Sequence, residues 1–189
     1  MRSIHNHPNP LLNKLTQYGA IVLLVVMLTG AVALVVLGIT DPRLLLLAPA
    51  GLIVLALAPA VLMVTTISPP LTVSPDGLTV RPTIWRSVDV PWSAVREFSE
   101  YPLLPPSDSE IGRKMISGRK KYRPAEGKLL VIPSLPAIYK INGLFCGRGL
   151  TPVIGFTNRS HADYDKLLKK VTVYLEEAGN LSTGTSETL

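Results

Sequence analysis

Cysteine and histidine are scarce in this chain, aromatic residues make up only 6% of it, and its two longest apolar runs carry no charge. Each absence closes off a class of function. A single cysteine, Cys146, rules out an intrachain disulfide and a cysteine-based metal cage. Its setting, YKINGLFCG, reads as a strand in which a small side chain packs. Two of the three histidines, His5 and His7, lie in a polar N-terminal HNHPNP that reads as a flexible tail, and the third, His161, stands far away at a helix start. No metal or cofactor site is therefore expected. Gly147-Arg148-Gly149 lacks the downstream Gly-Lys-Ser or Gly-Lys-Thr of a phosphate loop. With no Ser/His/Asp set and no paired carboxylates in a patterned context, catalysis has no constellation to rest on, and no catalytic residue is expected.

What the chain does have is Tyr18 to Thr66, two apolar runs joined by the short polar GITDPR. A run of about 20 apolar residues at 1.5 Å per residue crosses the roughly 30 Å hydrocarbon core of a bilayer. Two helices, over about 18–38 and 43–66, are thus expected to form a transmembrane hairpin. A cleaved signal sequence is the competing reading, since Ala31 and Ala33 make an A-x-A, but the run continues to Leu37 and a second run follows at once. Pro49 and Pro59 should kink or loosen the second helix. No ionisable residue accompanies them, so transport and proton relay lose their usual signature. Small residues let helices approach in lipid, and Gly30, Ala33, Gly51, Ala56 and Ala60 are the candidate packing positions, with Ala31 and Ala48 beside them. Arg2 and Lys14 precede the hairpin and Arg81 and Arg86 follow it, whereas its tip has Arg43 beside Asp41. That bias places both termini in the cytoplasm of an integral cell-membrane protein with two spans.

Outside the hairpin lie an N-terminal segment (1–17), one domain (67–179) and a polar tail (180–189) that reads as flexible. Pro69-Pro70 makes a short stiff spacer. LTVSPDGLTVRPTIW reads as strands 71–74 and 78–85 around a Pro75-Asp76-Gly77 turn in which glycine takes positive φ. Val88, Val90 and Trp92 alternate as a half-buried strand, and Val95, Phe98 and Tyr101 extend the pattern. Trp85 and Trp92 suit either membrane-interface anchoring or core packing. Three more strands are expected over 128–133, 137–146 and 150–157. From Ser160, a candidate cap with Asp163, a helix carries Tyr164, Leu167, Leu168, Val171, Tyr174, Leu175 and Ala178 at i, i+3, i+4 spacing, and Gly179 stops it.

Between 105 and 127 the periodicity fails in a Pro-, Gly- and Ser-rich loop. Its cations, Arg113, Lys114, Arg119, Lys120, Lys121 and Arg123, have no acidic residue among them and are the candidate contacts for anionic headgroups or an acidic partner. A solvated hairpin tip is the plain alternative. Nucleic acid fits less well, since only Tyr122 offers a ring for stacking.

LTVSPDGLTVRPTIWRSVDVPWSAVREF and TPVIGFTNRSHADYDKLLKKVTVYL together resemble small bacterial membrane proteins that carry a pleckstrin-homology-like (PH-like) domain after a transmembrane hairpin. The resemblance covers roughly 50 residues, through a strand–turn–strand opening with V-P-W and a last strand leading into a closing helix. It implies an antiparallel PH-like β-barrel or sandwich of six or seven strands capped by one C-terminal helix. The expected fold class is therefore a membrane α-helical hairpin plus an α+β domain. The expected function is that of a non-enzymatic, membrane-anchored interaction or scaffold protein, in contact with membrane lipids and a protein partner. An accessory or assembly subunit of a larger membrane complex is the alternative, and a membrane enzyme is disfavoured.

Overall fold

The computed structural model describes residues 2–104, 110, 115 and 122–179. Strand β1 (Ser3–His5) comes first, followed by helices α1 (Pro10–Thr40) and α2 (Leu47–Val64), with one 3-10 turn, Pro42–Leu44, between them. At 1.5 Å per residue the helices are about 46 and 27 Å long. Asn9 caps α1 by accepting from the Leu12 amide, and Pro10 opens it where no intrahelical donor is lost. Asp41 accepts from the Arg43 amide and makes the corner. Pro49 falls in the first turn of α2, where a missing N–H leaves no bond unmade, so only Pro59 interrupts the ladder.

Both helices are long and apolar enough to cross a membrane, and only 11% of the most apolar window of each is buried within the molecule. A core helix of a water-soluble protein would be mostly covered. These two cover each other along one seam and leave the rest of their apolar surface outside.

The remaining strands are β2 (Leu71–Ser74), β3 (Gly77–Val80), β4 (Val88–Pro91), β5 (Glu97–Glu100), β6 (Gly127–Val131) and β7 (Val153–Thr157), with helices α3 (Lys140–Phe145) and α4 (Tyr164–Glu177). They form two antiparallel sheets, β1-β2-β3-β4 and β5-β6-β7. The layout is α+β, as the patterning implies. The N-terminal segment, expected to be a free tail, instead pairs with the domain, Ser3 opposite Val73 and His5 opposite Leu71. The whole apolar hairpin is thus an insertion between two neighbouring strands of one sheet.

The main core lies between the sheets. Leu71, Val73, Leu78, Val80 and Val90 from one sheet meet Leu130, Ile154 and Phe156 from the other, and α4 closes the space with Tyr164, Leu167, Val171 and Leu175. Strand β6 is buried on both faces: Leu129 and Val131 point outward into a second cluster with Val153 and Cys146, beneath α3. Alternation therefore vanishes in β6, which reads as an unbroken apolar run.

Two expected strands are corrected. Residues 137–146 are a 3-10 turn followed by α3, because the buried positions Tyr139, Asn142, Gly143 and Cys146 recur with helical rather than alternating spacing. Gly143 is required there, since a Cβ would lie 1.9 Å from the Thr151 carbonyl oxygen. Strand β3 ends at Val80 rather than 85, as Pro82 has no amide to extend the ladder. Gly77 does not take a positive φ; it is needed because a Cβ would meet the Val90 carbonyl at 2.4 Å. Ser160 is not the helix cap either, because its hydroxyl is held by Thr157 and His161, and α4 starts at Tyr164. Gly179, at φ +71, ends that helix in the left-handed conformation.

Candidate functional site

The candidate contact residues divide sharply in what can be said of them. Arg113, Lys114, Arg119, Lys120 and Lys121 lie outside the described residues, as does the 180–189 tail. Arg123 is placed, and it is not a free cation. Its guanidinium donates to both oxygens of Asp165 at 2.8 Å and to Glu126 at 3.1 Å. Those bonds hold the guanidinium pKa above its ordinary value and the Asp165 carboxyl below its own. Behind it Arg159 donates to both oxygens of Glu110, which is buried, and to the Arg123 carbonyl. Tyr122 donates to the same carboxylate at 2.6 Å and lies under the Arg159 guanidinium. The foot of the basic insertion is thus tied to the turn after β7 and to the first turn of α4 by charge-assisted hydrogen bonds.

Of the candidate packing positions, Gly51 lies in the seam between α1 and α2, where a Cβ would meet the Ala31 carbonyl at 2.7 Å and Val35 at 2.9 Å. Gly30 has open space around it, Ala33 and Ala56 are exposed, and Ala60 is half-buried. The seam is made instead by Ala20, Ala31 and Gly38 against Ala48, Gly51 and Ala58.

The densest unanticipated feature is the junction where α2 meets the domain. Trp85 donates its indole N–H to Thr65 at 3.1 Å, while Thr65 donates to the Leu62 carbonyl. Thr66, fully buried, donates to Asn142 Oδ1 at 2.7 Å, and the Asn142 amide donates to the Val153 carbonyl at 2.9 Å. The Ile67 carbonyl accepts from Gly155 and so covers part of the free edge of β7. His161 Nε2 lies 3.1 Å from the Pro69 carbonyl. A carbonyl only accepts, so Nε2 carries the proton and Nδ1 accepts from the Ser160 hydroxyl at 2.9 Å. Burial pushes the His161 pKa down to about 4, and the neutral ring clamps the linker to the turn before α4.

On the other strand of the connection, the Asn6 carbonyl accepts from Ala162, and Gln17 near the base of α1 donates to the Val64 carbonyl at 3.4 Å. Both chain crossings into the hairpin are therefore hydrogen-bonded to the same face of the domain. Each such bond contributes about 1 kcal/mol net, and a buried partner left unpaired costs about 1–3 kcal/mol. A cleft of about 190 Å³, lined by polar residues such as His7, Asn13 and Gln17 and by the apolar Leu12 and Val64, remains between α1 and the linker.

Trp92 packs on Tyr174 in the core and donates to the Ser74 carbonyl, whereas Trp85 sits beside the end of α2, bonded to Thr65. Among the described residues no group of three or more His, Cys, Asp and Glu is placed to hold a metal ion. No sequence signal marks Thr66, Asn142 or His161 as partners, since 76 residues separate Thr66 from Asn142 and 92 separate His161 from Pro69. Comparison with known proteins finds no matching protein family, no matching characterised protein and no matching solved structure.

Proposed function

We propose that this chain is a non-enzymatic, membrane-anchored interaction protein whose apolar hairpin spans the bilayer and holds a PH-like domain against the cytoplasmic headgroups. The observation that carries this reading is the insertion of the hairpin between β1 and β2. A domain attached by one linker can swing through a large volume. One that receives the chain on both sides of its anchor, with its first linker residues hydrogen-bonded to β7 and α3, keeps one orientation to the bilayer. Such a mount suits the presentation of a fixed surface to a partner or to anionic lipid. The order of a four-stranded sheet, a three-stranded sheet and one closing helix supports the PH-like reading. Arg2, Lys14, Arg81 and Arg86 at the domain end support the cytoplasmic side.

A second reading, an accessory subunit of a larger membrane complex, is favoured by Gly30 and Ala33. They stand three residues apart on α1, exposed and unused by α2, which leaves room for another helix to approach.

Gentle detergent extraction of the full chain, followed by sizing and identification of co-purifying proteins, tests both readings. A stable larger particle supports the subunit reading, and a lone small particle overturns it. For the headgroup role, full-length protein with Arg119, Lys120 and Lys121 changed to Glu is compared with wild type for recruitment of anionic lipid. Unchanged lipid recruitment removes the basic insertion from the mechanism. A fragment starting at residue 70 is unsuitable for this, because it lacks β1.

A further inference from the structure

Most large apolar side chains of the domain are buried, yet Leu144, Phe145 and Leu150 are exposed within seven residues of one another. Leu144 and Phe145 lie on α3, whose Asn142 and Gly143, with Cys146 just after it, face inward. At 100° per residue, positions 144 and 145 fall on the opposite side. Leu150 is held beside them: the Arg148 amide donates to the Gly143 carbonyl at 2.8 Å, and the close approach of the 149–151 backbone to Gly143 presses the turn against the helix. Gly147 and Gly149, at φ +72 and +59, make that turn possible. The exposure is built in, because a tightly hydrogen-bonded turn presents these side chains outward.

Their position relative to the hairpin identifies what covers them. Asn142 is bonded to Thr66, two residues beyond the end of α2. Leu144 and Phe145 follow Asn142 by about 3–4.5 Å along the helix axis. The polar zone on each side of a bilayer is only about 5–8 Å deep, so the apolar side chains lie within reach of the boundary at which α2 emerges. Trp85, bonded to Thr65 at the same level, has the amphipathic character of residues that settle at headgroups. Lys140, exposed at the start of α3, has the length to carry its ammonium to the phosphates.

We propose that α3 and the turn after it form a third attachment to the membrane, with Leu144, Phe145 and Leu150 inserted at the headgroup–acyl boundary of the leaflet where α2 ends. This rests on the hairpin spanning a bilayer. The occupant is lipid rather than a protein groove, because the buried Thr66–Asn142 bond fixes α3 to the end of α2 and so holds its exposed apolar side near the level at which that helix leaves the bilayer. Arg148, which pairs with Glu97 and donates to Ser99, holds the turn to β5.

The test uses the full chain in phosphatidylcholine–phosphatidylglycerol liposomes, in a Cys146→Ala background with single exposed cysteines carrying a fluorophore. Leu144→Cys and Leu150→Cys report on the patch, Val25→Cys on α1, and Asp76→Cys on the turn at the far end of β2. Quenching by lipids with nitroxide near the headgroup should be several-fold stronger at 144 and 150 than at 76. If 25 is quenched by deep acyl nitroxides while 144 and 150 behave like 76, the third attachment is overturned and the hairpin reading stands. If 25 is quenched by no lipid nitroxide, the spanning hairpin fails and the proposal fails with it.

Discussion

His161 gives the most direct test of the junction. In the unfolded chain its imidazole titrates near 6.5, whereas burial against Pro69 and Ser160 lowers its pKa to about 4. Between those values the unfolded chain binds a proton that the folded chain refuses, so stability falls as pH falls through this window and is level above it. The gap converts to about 3 kcal/mol when complete, of which about 2 kcal/mol is lost by pH 5. The physical cost is specific: a protonated ring has a donor at Nδ1, where the Ser160 hydroxyl now donates. Urea unfolding in mild detergent, followed by the fluorescence of buried Trp92, measures this between pH 8 and pH 4.5. Other groups titrate in the same range, including His5, which burial also lowers, so the comparison must be with His161→Gln. Glutamine can donate to Pro69 and does not titrate. The variant should be less stable than wild type at pH 8, and the difference should shrink by about 2 kcal/mol by pH 5. A difference that stays constant with pH would refute the neutral clamp.

The hairpin seam predicts a contrast between two glycines. Gly51→Ile should force α1 and α2 apart and cost about 1–3 kcal/mol, seen as earlier loss of helicity in denaturing detergent, while Gly30→Ile should leave the pair unchanged. Asn142→Leu removes the partner of both Thr66 and the Val153 carbonyl in a buried site, and about 2–4 kcal/mol of stability should go with it. Thr66→Val in the same background should cost almost nothing more, a non-additivity that a double-mutant cycle reads directly. Cys146 is buried and its thiol pKa is pushed up to about 11, so alkylation at pH 8 should be negligible until denaturant opens the cluster beneath α3. Rapid labelling of native protein would contradict that packing.

Part of this architecture follows from residue order alone. Two uncharged runs of about 20 residues can satisfy their own backbone only as helices, and a polar knot of six residues forces them antiparallel. Leu167, Val171 and Leu175 lie on one face because of helical geometry, whatever they pack against. The turn at Pro75-Asp76 is equally local. Such features depend on neighbours a few residues apart, and short-range patterns carry them.

Other features depend on partners that local pattern does not name. Ser3–His5 is too short to announce itself as a strand and is defined only by pairing with β2 across the hairpin. The run 137–146 has apolar residues compatible with either period, and the close approach of Thr151 to Gly143, with Asn142 bonded to Thr66, settles it as helix. Small residues are plentiful on α1 and α2, but which of them touch depends on helix rotation. That rotation brings Ala31 and Gly38 into the seam and leaves Gly30 and Ala33 outside. The sequence by itself therefore determined an apolar helical hairpin, a β-rich domain and its closing helix. Only the tertiary structure decided that the hairpin is inserted inside the domain's own sheet, because strand pairing across a long insertion is a long-range hydrogen-bonding choice with no local signature.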